Sequence, residues 1–271
     1  NGRWLVYSAS PGQNTLGGLS AGFSQFNTAF SGNPPGSIGN AGQNGLIYSS
    51  GPTLTFTANS LSREYGDTNP TLTYGFSCAT GCTEAQAVTG LPSLATGATP
   101  TTNVGTSTIT ISMGSLALTG AFSGYTIVLV NGSLTVTPAT VTVRANDLTK
   151  TYGSTHTFSG TEFTATGLRN GQTIGSVSLS SAGSTAAASV AGGPYAITAS
   201  GATGGSFTPG NYTITYQPGV LTVAQRQLTA LLIGTVSKTY DGTTDATLTA
   251  GNYLLTGMLG GDTVTLNNPF A

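Results

Sequence analysis

The sequence predicts an all-β protein: tandem β-sandwich modules in an elongated rod, preceded by a β-hairpin-like segment with a long loop. Three features point there. Tyr125-Thr-Ile-Val-Leu-Val-Asn-Gly-Ser-Leu-Thr-Val136 recurs as Tyr212-Thr-Ile-Thr-Tyr-Gln-Pro-Gly-Val-Leu-Thr-Val223, 87 residues on. Arg63-Glu-Tyr65-Gly66 recurs at the same spacing as Lys150-Thr-Tyr152-Gly153, and 88 further on as Lys238-Thr-Tyr240-Asp241-Gly242. Self-similarity at a fixed period marks a string of like modules. Finally, short runs alternate apolar residues with Thr or Ser and are punctuated by Gly, Pro and Asn, as half-buried strands are.

Residues 1–53 form the leading segment. Arg3-Trp-Leu-Val-Tyr-Ser8 and Gly45-Leu-Ile-Tyr-Ser49 read as strands, and the stretch between them is rich in Gly, Asn, Ser and Gln. Phe23, Phe26 and Phe30 have the spacing of one helical face, but the Gly and Asn around them oppose a helix. Two strands joined by a long loop, pinned by aromatic rings, is the reading that follows. A loop of that length is uncommon in a compact domain and is often functional.

Residues 54–138 form the first β-sandwich repeat. Leu54-Thr-Phe-Thr-Ala58 alternates cleanly. A Tyr65-Gly66-Asp67 turn follows, then a Thr71-Leu-Thr-Tyr74 strand and a cysteine loop. Thr108-Ile-Thr-Ile-Ser112, Tyr125–Val130 and Leu134-Thr-Val-Thr137 complete it. Residues 139–225 form the second repeat, with strands at Val141–Arg144, Ser176–Ser180, Tyr195–Thr198 and Tyr212–Tyr216. Residues 226–271 read as the start of a third, truncated module. The junctions Leu134–Val143 and Leu221–Ala230 are short and contain no Gly, so neighbouring modules are expected to hold a nearly fixed relation.

Composition narrows the function. Only 6% of the 271 residues are charged and the net charge is -1. Without a basic stripe there is nothing to track a phosphate backbone, so nucleic acid is not an expected partner. No apolar run approaches the roughly 20 residues of a membrane helix, so membrane insertion is not expected either. The chain opens on Asn1-Gly-Arg-Trp without a signal peptide, which reads as an internal piece of a longer protein.

Candidate chemistry is sparse, and neither a catalytic residue nor a cofactor is expected. His156 is the sole histidine, and no serine lies in a nucleophile-elbow pattern. Asp241-Gly-Thr-Thr-Asp245 could offer oxygens to calcium but lacks the ligand density that calcium requires. Cys78 and Cys82 are too few for a zinc site. Their spacing fits a small disulfide loop if Ala79-Thr80-Gly81 turns tightly, and two free thiols are the plain alternative. A disulfide would place the chain in an oxidising compartment. Tyr65, Tyr152 and Tyr240, with Gly66, Gly153, Asp241 and Gly242, recur in place and so share a job. Packing at a corner is favoured over a sugar platform.

The runs Leu54-Thr-Phe-Thr-Ala-Asn59 with Arg63-Glu-Tyr-Gly-Asp67, and Val141-Thr-Val-Arg-Ala-Asn146 with Lys150-Thr-Tyr-Gly153, resemble MBG-type modules. Ser237-Lys-Thr-Tyr-Asp-Gly-Thr-Thr244 resembles the start of a YDG module. Both occur in tandem in bacterial surface proteins of the filamentous haemagglutinin type. The resemblance implies a stalk segment of an extracellular adhesin on a Gram-negative surface, active in adhesion or biofilm formation and exported by an outer-membrane transporter partner. It supplies no catalytic residues. Two rivals stand beside that expectation. One is a fibre subunit that self-associates by completing its third module with a neighbour's leading strands. The other is a glycan-binding module using Trp4, Phe23, Phe26, Phe30 and Tyr48.

Overall fold

In the computed structural model of the chain, the residues described are 2–11, 15–235, 237–245 and 248–265. Residues 266–271 of the third module therefore lie outside the description. The chain divides into two compact units, residues 1–139 and 140–271.

The first unit opens with β1 (Leu5–Ser8), β2 (Phe23–Gln25) and β3 (Gly45–Tyr48). The hairpin-like expectation is corrected here. β3 lies between β1 and β2 and is parallel to both, so the segment is a three-stranded parallel sheet. The long connections make this possible, since parallel neighbours need a crossover and cannot be joined by a tight turn. All four residues of central β3 are buried, as expected for a parallel strand covered on both faces. Arg3 secures the loop by donating to the carbonyls of Pro35, Ile38 and Gly39. Tyr7 donates its hydroxyl to the carbonyl of Asn33 at 2.8 Å.

The first module comprises β4 (Thr53–Ala58), β5 (Leu61–Glu64), β6 (Tyr74–Cys78), β7 (Val88–Thr89), β8 (Ser93–Thr96), β9 (Gly105–Ser112), β10 (Ala117–Leu118), β11 (Thr126–Val130) and β12 (Gly132–Thr137). A one-turn helix, α1 (Glu84–Ala87), carries a Thr83/Gln86 capping box. The expected strand at 71–74 instead begins at Tyr74 and runs to Cys78, where Phe56 lies opposite Phe76. One sheet has the order β11-β4-β6 and the other β5-β12-β9-β8. Alternation sends Leu54, Phe56 and Ala58 inward from the first sheet, where they cluster with Ile109, Ile111 and Leu134 of the second. The intervening Thr side chains face outward or lie half-buried.

The second unit repeats this plan. Its strands are β13 (Ala139–Ala145), β14 (Leu148–Thr151), β15 (Phe163–Thr166), β16 (Ile174–Ser180), β17 (Tyr195–Gly205), β18 (Tyr212–Gln217) and β19 (Gly219–Ala224). The sheet orders are β15-β13-β18 and β14-β19-β17-β16. Val141, Val143 and Ala145 take the places of Leu54, Phe56 and Ala58, and all are buried. Beyond them β20 (Thr229–Leu232) pairs antiparallel with β21 (Tyr253–Thr256). Leu231 and Leu232 on this two-stranded sheet are 57% and 60% exposed.

The order of pairing matters more than the strand count. In module one β4 pairs in parallel with β11, and β5 in parallel with β12. In module two β14 pairs in parallel with β19. The opening strands of each module are therefore bonded to its closing strands.

Candidate functional site

Arg63 and Lys150 stand next to last in β5 and β14, just before the Tyr-Gly turns of the two sandwich modules, and both are put to the same use. Arg63 of β5 is only 7% exposed and Lys150 of β14 only 6%. Alternation on β5 and β14 directs both inward, which an isolated cation would resist. Backbone carbonyls resolve the conflict. Arg63 donates to the carbonyls of Glu64 and Thr99 and to Asn69 Oδ1. Lys150 donates to the carbonyls of Ser154 (2.8 Å) and Thr185. Each cation thus ties its turn to a crossing loop of the same module. In the third module Lys238 Nζ meets Asp241 Oδ1 at 2.8 Å, Thr243 Oγ1 at 2.6 Å and the carbonyl of Asp245 at 2.7 Å. Lys238 holds the Asp241 carboxyl below the usual aspartate range. The oxygens weighed for calcium thus surround an ammonium of the chain itself.

The three tyrosines do not share one environment. Tyr65 is buried at 2%, and its backbone N–H donates to the carbonyl of Thr137 at 2.9 Å. Tyr152 makes the equivalent backbone bond to Ala224, but its side chain is half-buried and donates to Asp262 Oδ1 at 2.7 Å. That hydrogen bond is the main cause of its raised pKa. Tyr240 is 93% exposed. The expectation of a common packing role is therefore corrected for Tyr240, where Asp241 stands between the tyrosine and the positive-φ glycine.

Next to Tyr152, Gly153 adopts φ +87, and a Cβ there would fall 2.2 Å from Leu259. Leu259 and Asp262 belong to the loop after β21, which Arg226 also holds by donating Nε to the carbonyl of Gly257 at 2.7 Å. A cleft of about 390 Å³ opens beside this joint, lined by Tyr152, Val190, Arg226, Leu228 and Asp262 among others.

Cys78 and Cys82 form a disulfide with Cα atoms 5.4 Å apart. Thr80, inside the loop, shares a 3.0 Å hydrogen bond with the Tyr125 hydroxyl. The five aromatic residues weighed as ligand contacts do not form a row. Tyr48 is 4% exposed and cannot offer a face, which corrects its assignment. Phe26 stacks on Tyr48 at 5.4 Å and meets Tyr125 edge-on at 5.9 Å, so it fastens the leading segment to module one. Phe23 lies over Gly45, and Trp4 is half-buried. Phe30 alone is widely exposed, at 60%, standing edge-on to Tyr7.

His156 packs edge-on against Phe158 at 4.8 Å, and its buried Nε2 engages no hydrogen-bond partner. Among the described residues no group of three or more His, Cys, Asp or Glu side chains could hold a metal.

Repeated sandwiches, each with a cation-tied turn, define a tandem-repeat protein of structural type. The family model described as MBG domain (YGX type) matches residues 54–135 and 141–222, more than half of the chain, and the YDG domain model matches residues 224–271. The chain belongs to the MBG domain family and carries a YDG domain after its two MBG repeats. These are repeat or binding domains rather than enzyme families. No curated protein and no solved structure matches the chain.

Proposed function

We propose that this chain is a spacer that works under tension: a stalk segment of a bacterial surface adhesin that holds a binding region away from the cell. One observation carries the reading. The opening and closing strands of the modules pair in parallel, Leu61 opposite Leu134 in module one and Leu148 opposite Leu221 in module two. Tension applied at the two ends of a module then pulls the paired strands past each other along their length. The hydrogen bonds between them are loaded together, in shear, and cannot open one at a time like a zip. Family membership supports a structural repeat role. The disulfide supports an oxidising, extracellular setting, reached in the adhesin reading through an outer-membrane transporter.

Single-molecule stretching of the full chain tests this. Two high-force events are expected, each releasing about 280–300 Å, the extended length of one module. Extension at low force without discrete events would overturn the spacer reading.

A further inference from the structure

The joint at Tyr152 shows what a Tyr-Gly turn can receive. Its occupant is the loop Thr256-Gly-Met-Leu-Gly-Gly-Asp262. Leu259 fills the space over Gly153, Asp262 accepts from the Tyr152 hydroxyl, and Arg226 holds the loop at Gly257. The same loop form occurs at Thr166-Gly-Leu-Arg-Asn-Gly-Gln172. Gly167 and Gly257 have φ +94 and +93, and a Cβ on either would strike the carbonyl oxygen of Thr140 or Gln227, at 2.4 and 2.6 Å. The loop thus recurs in the second and third modules with the same backbone at its first glycine.

The turn at Tyr240–Gly242 stands at the repeat-equivalent place and is open. Tyr240 is 93% exposed, and nothing lies within 4 Å of a Cβ built on Gly242. Gly242 has φ +79, close to the +87 of Gly153. Lys238 and Asp241 hold the turn in shape from behind. An aromatic ring exposed to this degree on a firmly held turn, beside an open glycine, offers a leucine side chain and a hydrogen-bond acceptor what Tyr152 and Gly153 offer theirs.

We propose that Tyr240–Gly242 is a docking socket, and that its partner is the Thr256–Asp262 loop of a second copy of this chain, bringing Leu259 to Gly242 and the Asp262 carboxylate to the Tyr240 hydroxyl. The inference rests on the repeat assignment and not on the spacer reading, so either can fail alone.

A second copy of the chain can supply the probe once its own loop is released. Gly153→Val should expel Leu259; Tyr152→Phe, which removes only the hydroxyl, is the milder variant. Hydrogen exchange should show about tenfold weaker protection in β20 and β21 with β17 and β19 unchanged. Light scattering across a concentration series should then show the released chain pairing, and Tyr240→Ala added to the same variant should restore single chains. Three results overturn the proposal. The loop can stay protected in both variants, so that the joint is not what holds it. The released chain can stay single at every concentration. Pairing can persist in the presence of Tyr240→Ala, which assigns it to the exposed Leu231 and Leu232 instead.

Discussion

Gly132 and Gly219 stand at the same point of two modules, and each leaves room for one carbonyl oxygen. A Cβ would lie 2.4 Å from the oxygen of Ala58 in the first case and 2.5 Å from that of Ala145 in the second. In both modules the start of the closing strand passes against the end of the opening one, so closely that backbone meets backbone. Gly219→Ala should therefore lower the stability of module two by about 2–3 kcal/mol, the usual scale of overpacking. Calorimetry of the full chain checks this; the transition of module one should not move.

The buried cations predict a second outcome. Replacing Lys150 by Met keeps the apolar stem but leaves the carbonyls of Ser154 and Thr185 without their donor. A loss of about 2 kcal/mol is expected, as for hydrogen bonds to charged groups. Lys150→Arg should recover much of it, because Arg63 does the same work in module one. Chemical denaturation of the three chains decides it. Equal stability of Lys150→Met and the parent would mean that the cation contributes nothing.

Glu162 gives stability a pH dependence. Burial pushes its carboxyl up, but the N–H of Ser159, the Ser159 side chain and further backbone donors outweigh it and bring the pKa from 4.5 to about 2. The N–H groups of Ser159, Gly160 and Thr161 lie within 2.8–3.0 Å of its oxygens. A folded pKa below the unfolded one adds stability that is fully present above pH 4.5 and is lost as pH falls toward 2. Glu162→Gln should cost about 1–2 kcal/mol at neutral pH, and the gap should narrow through that acid window. A gap constant from pH 7 to pH 2 would contradict the linkage.

Reduction of Cys78–Cys82 should act on module one alone. So short a loop contributes about 2 kcal/mol in the chain-entropy model. The Thr80–Tyr125 hydrogen bond should loosen with it, because the disulfide holds Thr80 in place. Melting with and without a reductant that leaves module two unaffected is the check.

The modules were legible in the sequence because burial there has a period. Leu54, Phe56, Leu134 and Val136 alternate with Thr, and the pairs Leu134/Leu221 and Val136/Val223 carry the pattern across the repeat. The leading segment was not legible. Its partners lie far apart in the chain, and nothing in Leu5–Ser8 says that Gly45–Tyr48 will run beside it in the same direction. A pair of alternating strands joined by Gly-rich sequence looks alike whether it pairs parallel or antiparallel.

The turns show the same limit at the level of side chains. Repetition marked Tyr65, Tyr152 and Tyr240 as equivalent, yet their exposure depends on what each turn meets, and repetition does not encode that. Arg63 and Lys150 were visible as repeat anchors. The signal for their burial was their position in phase with Leu61 and Leu148, which was outweighed by the general habit of basic residues to stay in water.

Strand order has one more consequence, which concerns time. Leu61 waits for Leu134 and Leu148 for Leu221, each 73 residues away. No module can close until almost all of it has been delivered, from whichever end delivery begins. During that interval its first strand is an unfilled template, and the next module brings a closing strand with the same Leu-Thr-Val text, Leu134–Val136 against Leu221–Val223. Exchange between neighbours is a characteristic error of repeat proteins. Arrival in sequence guards against it, because the correct strand reaches the template before its double exists.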